Sequence, residues 1–240
     1  MNLQTYKSNS TVIVYDANQI EQAGAYLFDE EGWERKGCRV GVAQGRGSAQ
    51  LLETPFGSAV LRRYLRGGWV ASLSKDRYFF TGFARSRPLK EIRVLASLYE
   101  QGLPVPRPLA AHCERNGLFY RGSLLTRRIL DTRPLADLCM DEESDLELWA
   151  STGRCIRRFH NRGVVHADLN ARNILVDSSG GIYLIDFDRA RIREGAERSF
   201  RSNLNRLRRS LEKFWPPVLK EQLENSWSAL LAAYKMADAS

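Results

Sequence analysis

The sequence has little cysteine and places it without pattern: Cys38, Cys113, Cys139 and Cys155 are scattered, with no Cys-x-x-Cys pair. That excludes a disulfide framework and the common zinc templates, and it predicts reduced thiols, as in a cytoplasm. Histidine is scarcer still, three in 240 residues. Cys155, His160 and His166 lie near one another, but their spacing fits no zinc site, and they read as helix and loop residues. No apolar run approaches the roughly 20 residues of a membrane span. The start, Met1-Asn2-Leu3-Gln4-Thr5-Tyr6, lacks the basic and apolar pattern of a signal peptide. No internal repeat, low-complexity segment or nucleic-acid-binding motif is visible, so no nucleic acid partner is predicted. The hydrophobic share, 43%, is ordinary for a globular protein, and the length suffices for one large domain or two lobes.

What the chain has in excess is positive charge, and unevenly. The net charge is +8. Residues 62–93 hold nine Lys or Arg against two acids, and residues 189–213 hold nine against three. The remainder is net acidic. A basic excess of this kind fits a polyanionic partner, a phosphate-rich lipid, an anionic membrane or nucleic acid, as well as a merely solvated face.

The most informative stretch is Val164-Val165-His166-Ala167-Asp168-Leu169-Asn170-Ala171-Arg172-Asn173-Ile174-Leu175-Val176-Asp177. An apolar run enters, a polar loop follows and an apolar run leaves. Asp186, in Ile182-Tyr183-Leu184-Ile185-Asp186-Phe187-Asp188, follows Asn173 by thirteen residues. The first piece matches the kinase catalytic loop, His-x-Asp-Leu-x-x-x-Asn, and the second matches Asp-Phe-Gly in two of three places. Phosphoryl transfer needs a carboxylate to orient an acceptor hydroxyl and metal ions to neutralise the triphosphate. Asp168 suits the first task. Asn173 and Asp186 offer the hard oxygens that suit magnesium. Taken singly, Asp168 could cap a turn and Asp186 could end a strand. Their order, spacing and apolar setting together favour the catalytic reading.

The preceding segments supply weaker signals. Arg39 to Glu53 reads as strand, glycine-rich turn, strand. Gly45-x-Gly47 could let backbone N–H groups approach phosphates, or could be a plain hairpin turn. Ala59 to Tyr64 reads as a strand, and Arg62 stands where kinases carry the lysine of Val-Ala-Ile-Lys. Arginine grips phosphate oxygens bidentately. Lys75 is a second candidate, and an exposed strand arginine is the plain alternative for Arg62. Ser86 is expected to cap a helix running to Gln101, with Leu89, Ile92, Leu95, Ala96 and Tyr99 as its apolar face. Glu91 flanks that face, where kinases place the acid that pairs with the nucleotide-binding base; an exposed helix Glu is the alternative. Arg127 to Leu130 is the expected hinge, whose backbone would meet adenine. Helices are predicted over 146–162, 199–215 and 219–236, the second with Phe200, Leu204, Leu207, Leu211 and Phe214 on one stripe. Residues 1–38 are hard to read beyond a strand at Thr11–Tyr15 and a helix or turn region over 18–29.

These features predict an α+β fold, two-lobed and protein-kinase-like. The N-lobe, 1–126, is β-rich; the C-lobe, 127–240, is compact and mainly helical. Only 54 residues follow Asp186 and no Ala-Pro-Glu occurs, so the expected acceptor is a small molecule or glycolipid rather than a peptide. The pieces Gly45-Arg46-Gly47-Ser48, Val60-Leu61-Arg62-Arg63-Tyr64, Arg66-Gly67-Gly68, Leu73-Ser74-Lys75-Asp76-Arg77-Tyr78, Gly102-Leu103-Pro104-Val105-Pro106 and His166-Ala167-Asp168-Leu169-Asn170 resemble the lipopolysaccharide core kinase family. Within that family they are most similar to the kinases of 3-deoxy-D-manno-octulosonic acid (Kdo), over about residues 40 to 215. The resemblance implies ATP with Mg2+ and transfer to the 4-hydroxyl of Kdo on Kdo-lipid IVA. It implies a peripheral monomer on the anionic cytoplasmic face of the inner membrane. A heptose kinase of the same pathway, or a catalytically dead fold that only binds, are the alternatives; Arg62 and Asp188 are the departures that motivate the second.

Overall fold

The computed structural model describes residues 1–43, 49–64, 78–139 and 145–237. They form two compact units, one of residues 1–100 and 106–128, the other of residues 101–105 and 129–240.

The first unit is built on an antiparallel sheet. Its strands are β1 (Leu3–Ser8), β2 (Thr11–Asp16), β3 (Arg39–Ala43), β4 (Ala49–Thr54), β5 (Gly57–Arg63), β6 (Tyr78–Phe79), β7 (Pro108–Asn116) and β8 (Phe119–Arg127). The order is β1-β2-β7-β8-β5-β4-β3, with β6 paired to β8. Alternation of side chains divides the sheet into two faces. Ile13, Leu52, Ala59, Leu61, Ala110 and Leu125 point into one core. Leu27 and Phe28 cover that core from a single helical turn over Ala25–Phe28, together with Trp33 from the short helix α1 (Glu30–Arg35). Asp29 caps α1 by accepting from the Gly32 N–H at 3.0 Å, and the Trp33 indole N–H donates to the Leu27 carbonyl at 3.1 Å.

The first 38 residues are therefore part of the sheet and its core. Asp16, fully buried, ties them down. It accepts from the N–H groups of Asn2 and Asn18 and from two Arg107 nitrogens, the shorter at 2.7 Å. Burial alone would raise its pKa; these hydrogen bonds and the guanidinium outweigh that and hold it below the usual carboxylate range.

Helix α2 (Arg87–Glu100) lies against β7 and β8. Gly122 permits this approach, since a Cβ there would sit 2.6 Å from the His112 carbonyl oxygen and press on the Pro88 ring. The buried face of α2 is Pro88, Leu89, Glu91, Ile92, Leu95, Ala96 and Leu98. Tyr99, expected on that face, is 38% exposed and lies beside the Arg107 guanidinium instead. The Ser86 hydroxyl, expected to cap α2, donates to the Phe83 carbonyl at 2.7 Å. The Tyr120 hydroxyl takes the first helical N–H, that of Arg87, at 3.1 Å.

The second unit is mainly helical. Its elements are β9 (Thr132–Pro134), α3 (Leu135–Leu138), α4 (Leu146–His160), β10 (Val164–Val165), β11 (Ile174–Asp177), β12 (Ile182–Leu184), β13 (Arg191–Ile192), α5 (Glu197–Phe214) and α6 (Lys220–Met236). Strands β12, β11 and β9 form one small sheet, and β10 pairs with β13. Helix α4 starts at an Asp145 cap, whose carboxylate accepts from the Glu147 N–H at 2.9 Å. It packs closely on α6 because Gly153 has no side chain; a Cβ there would meet the Leu230 carbonyl. Trp149, Phe159, Phe187, Leu207, Leu211 and Leu230 fill the interior. Residues 101–105 belong to this unit: the Leu184 N–H donates to the Pro104 carbonyl at 3.0 Å. A β-rich N-terminal unit and a helical C-terminal one make the two-lobed, kinase-like α+β fold expected.

Candidate active site

The polar loop between β10 and β11 is held from three sides. The His166 ring is buried. Its Nε2–H donates to the Ile185 carbonyl at 2.9 Å, and its Nδ1 accepts from the Asp168 N–H at 3.1 Å. The two bonds together require the neutral ring with its proton on Nε2. Burial drives the imidazole pKa below its ordinary value, against the opposing pull of the Ile185 carbonyl and the Asp186 and Asp168 carboxylates. The Phe187 ring meets it edge-on at 4.9 Å and stacks in turn on Phe159 at 5.8 Å.

From helix α5, Asn203 clamps the His166 backbone. Its Oδ1 accepts from the His166 N–H at 3.1 Å, and its Nδ2 donates to the His166 carbonyl at 2.7 Å. One helical turn and then another bring Arg206 and Ser210 to the same face. Arg206 Nη1 lies 3.1 Å from Asp168 Oδ1, and the Ser210 hydroxyl accepts from the Ala171 N–H at 3.0 Å. The sequence carried a signal for Asn203, an amide on a stripe that continues through Leu207 and Leu211. It carried none that set Arg206 apart from the other arginines of α5.

Inside the loop, the Asn170 Oδ1 caps a single helical turn over Ala171–Asn173, accepting from the Arg172 and Asn173 N–H groups. The Asp168 carbonyl receives the amide NH2 groups of Asn170 and Asn173, at 3.1 and 2.9 Å. That commits the Asn173 nitrogen inward and leaves its Oδ1 as the ligand-capable atom. The Ile185 N–H donates to the Asn173 carbonyl at 3.0 Å, so Asp186, the next residue, is set beside Asn173. Asp186 adopts φ +65, a left-handed conformation uncommon outside glycine, asparagine and aspartate. Asp168, Asn173 and Asp186 are thus brought together in one unit. No trio of His, Cys, Asp or Glu able to hold a metal occurs among the described residues. Magnesium needs no such cage: it binds through one or two protein oxygens and completes its shell with phosphates and water. The Asn173 and Asp186 oxygens fit that donor set.

In the first unit, Arg62 and Glu91 meet. Since Leu61 points into the core beneath the sheet, Arg62 points to the opposite face, where α2 lies. Its Nη2 is 2.6 Å from both Glu91 oxygens. Glu91 is 2% exposed and also accepts from the Tyr64 hydroxyl. It is not the exposed helix acid of the plain alternative. The Arg62 and Arg87 guanidinium groups both lie over the Tyr64 ring, at 5.0 and 5.5 Å. Tyr64 was missed in the sequence, where nothing distinguished it from a buried strand tyrosine. Gly45, Gly47 and Lys75 fall outside the described residues.

The lipopolysaccharide kinase (Kdo/WaaP) family model matches residues 30–234 of the chain. The chain belongs to that family. The match is wider than residues 40 to 215, on which the resemblance was read. Curated relatives cover more still: a 3-deoxy-D-manno-octulosonic acid kinase of Stenotrophomonas maltophilia (strain K279a) is 44% identical over 225 residues, 94% of this chain and 90% of its own. The protein of the same name from Xanthomonas euvesicatoria pv. vesicatoria (strain 85-10) is 43% identical over the same shares. As a family member the chain is a kinase, and lipopolysaccharide biosynthesis is its setting. The arginine at position 62 and the aspartate at 188 stand in a chain close to proteins named as kinases, which removes the ground for reading them as marks of a dead fold.

Proposed function

We propose that this chain transfers the γ-phosphoryl group of ATP to the 4-hydroxyl of the Kdo residue of Kdo-lipid IVA. The observation that carries the reading is the clamped loop, which presents the Asp168 carboxylate beside Asn173 and Asp186. The near relatives named for Kdo support the choice of acceptor.

Asp168 accepts the hydrogen bond of the acceptor hydroxyl and aims its oxygen at the γ-phosphorus. A new acceptor O–P bond forms, the bond from the γ-phosphorus to the β-phosphate oxygen breaks, ADP leaves, and the hydroxyl proton passes to the Asp168 carboxylate and then to water. Asn173 and Asp186 would hold Mg2+, which supplies charge neutralisation of the phosphates when bound. The neutral His166 takes no proton; it keeps the loop backbone in register. Within the first unit, Arg62, anchored by Glu91 and Tyr64, is the phosphate-gripping candidate. The basic segments 62–93 and 189–213 support a reading of the enzyme as a peripheral protein on the anionic cytoplasmic face of the inner membrane.

Transfer from γ-labelled ATP to Kdo-lipid IVA, compared with a heptosylated acceptor, tests the reading. Label on Kdo, mapped to its 4-hydroxyl, is the expected result. Label only on heptose would replace the Kdo assignment with a heptose kinase.

A further inference from the structure

We propose that Arg206 is a specificity-determining residue that binds the carboxylate of the acceptor sugar beside Asp168. This rests on the Kdo reading above and adds to it the group by which the sugar is recognised.

Arg206 is set by a rigid element. Asn203, Arg206 and Ser210 share one face of α5, and the two flanking residues are fastened to the backbone of the catalytic loop at His166 and Ala171. The Arg206 backbone is thereby fixed beside the loop, and its guanidinium reaches Asp168 Oδ1 at 3.1 Å. Among the described residues that carboxylate is its sole polar partner and uses one nitrogen, so the rest of its fork of N–H donors remains available. Asp168 Oδ2 has no partner among the described residues and is left for a hydroxyl. Both side chains are about half exposed, so the pair is weak and yields readily to a ligand.

Electrostatics gives the pair a purpose. An acidic sugar brings its own carboxylate towards an ionised aspartate and a triphosphate. Three anionic groups in one small space repel unless a cation lies among them. Mg2+ serves the phosphates. Arg206 is positioned at the remaining two, where its planar fork can span both carboxylates. A neutral sugar would lack that bond, so the residue discriminates by charge rather than by shape.

The experiment compares wild type, Arg206→Gln and Arg206→Lys on Kdo-lipid IVA and on its Kdo methyl ester, with KM and kcat measured separately for acceptor and ATP. Circular dichroism melting of each variant controls for folding. With the free acid, Arg206→Gln should raise the acceptor KM by about tenfold to hundredfold, the range of a lost charged hydrogen bond, and leave the ATP KM unchanged. Esterification should impose a similar loss on wild type and almost none on Arg206→Gln, while Arg206→Lys recovers part of the affinity. A wild type that takes acid and ester equally well overturns the inference and leaves the Kdo kinase reading intact. So does a variant whose loss is the same on both acceptors and falls on kcat, because Arg206 would then serve only to position Asp168. A wild type that phosphorylates neither acceptor overturns the Kdo reading and this inference with it.

Discussion

Asp168 is held by its backbone. Its N–H is bonded to His166 and its carbonyl to two asparagine amides, while among the described residues only one carboxylate oxygen has a partner, the half-exposed Arg206. Asp168→Asn should therefore keep the loop and lose the proton acceptor. Phosphate transfer should fall by about 10²–10⁴-fold, with ATP binding by calorimetry largely kept. A variant that transfers at the wild-type rate would remove Asp168 from the chemistry. Arg62 differs, because its partner is buried. Arg62→Ala takes the guanidinium away from the buried Glu91 carboxylate, which keeps the Tyr64 hydroxyl, so it should both weaken ATP use and lower stability by roughly 3 kcal/mol in urea unfolding. Arg62→Ala with Glu91→Gln should recover much of that stability and none of the ATP affinity. Recovery of both would make the pair a structural tie alone. At this scale the sequence named Asp168, Asn173, Asp186, Arg62 and Glu91, because each sits in a spaced motif. Asn203 and Arg206 belong to no motif and reach their partners through the packing of α5; Tyr64 stands within the Val60-Leu61-Arg62-Arg63-Tyr64 piece, which gave it no role of its own.

Helix α5 shows how an element turns burial into placement. Its buried residues are Asn203, Leu207 and Leu211. The apolar pair was legible from periodicity, whereas Phe200 and Phe214 at the ends of the expected stripe are only half-buried, covered by His160 and by Arg172. Asn203→Ala should unfasten both backbone groups of His166, costing about 2 kcal/mol of stability and reducing kcat more than the KM for ATP. The same helix joins a pH-sensitive contact. His160 of α4 stacks on Phe200 of α5 at 4.3 Å and shares a hydrogen bond of 2.8 Å with the Tyr234 hydroxyl of α6. Burial, first, with Arg157 and His166 adding to it, depresses its pKa to about 4 against the pull of Asn203. A histidine kept neutral in the folded state binds its proton mainly on unfolding. Stability is thus unaffected above pH ~6.5 and falls as the pH drops from there towards about 4, by on the order of 3 kcal/mol. His160→Gln should flatten this slope in urea titrations between pH 7 and pH 4.5. An unchanged slope would assign the acid sensitivity to other groups, half-buried His112, also depressed to about 4, being the first.

The division into a β-rich and a helical unit was legible because the periodicity changes from two to three and a half along the chain and the motifs mark where. The first 38 residues were not legible, because their pairing is long-range: β2 joins β7 about a hundred residues later, and Asp16 meets Arg107. Charge is a whole-molecule property too, and it leads to the last prediction. No helix among the described residues is long and apolar enough to cross a membrane. The net charge of +8 is concentrated in residues 62–93 and 189–213, the rest being net acidic, so lipid phosphate would draw on these segments and not on the rest of the chain. Each Lys or Arg near an anionic surface contributes about 1 kcal/mol, and the attraction decays within a Debye length of about 8 Å at physiological salt. The protein should therefore co-sediment with vesicles containing phosphatidylglycerol and not with pure phosphatidylcholine, and rising salt should release it. Neutralising four arginines of the 189–213 segment other than Arg206, for example Arg191, Arg193, Arg198 and Arg201, should weaken vesicle binding while turnover of a detergent-dispersed acceptor persists. Sedimentation indifferent to both salt and lipid charge would mean that the basic segments are solvated faces and that the enzyme meets its lipid-linked acceptor by another route.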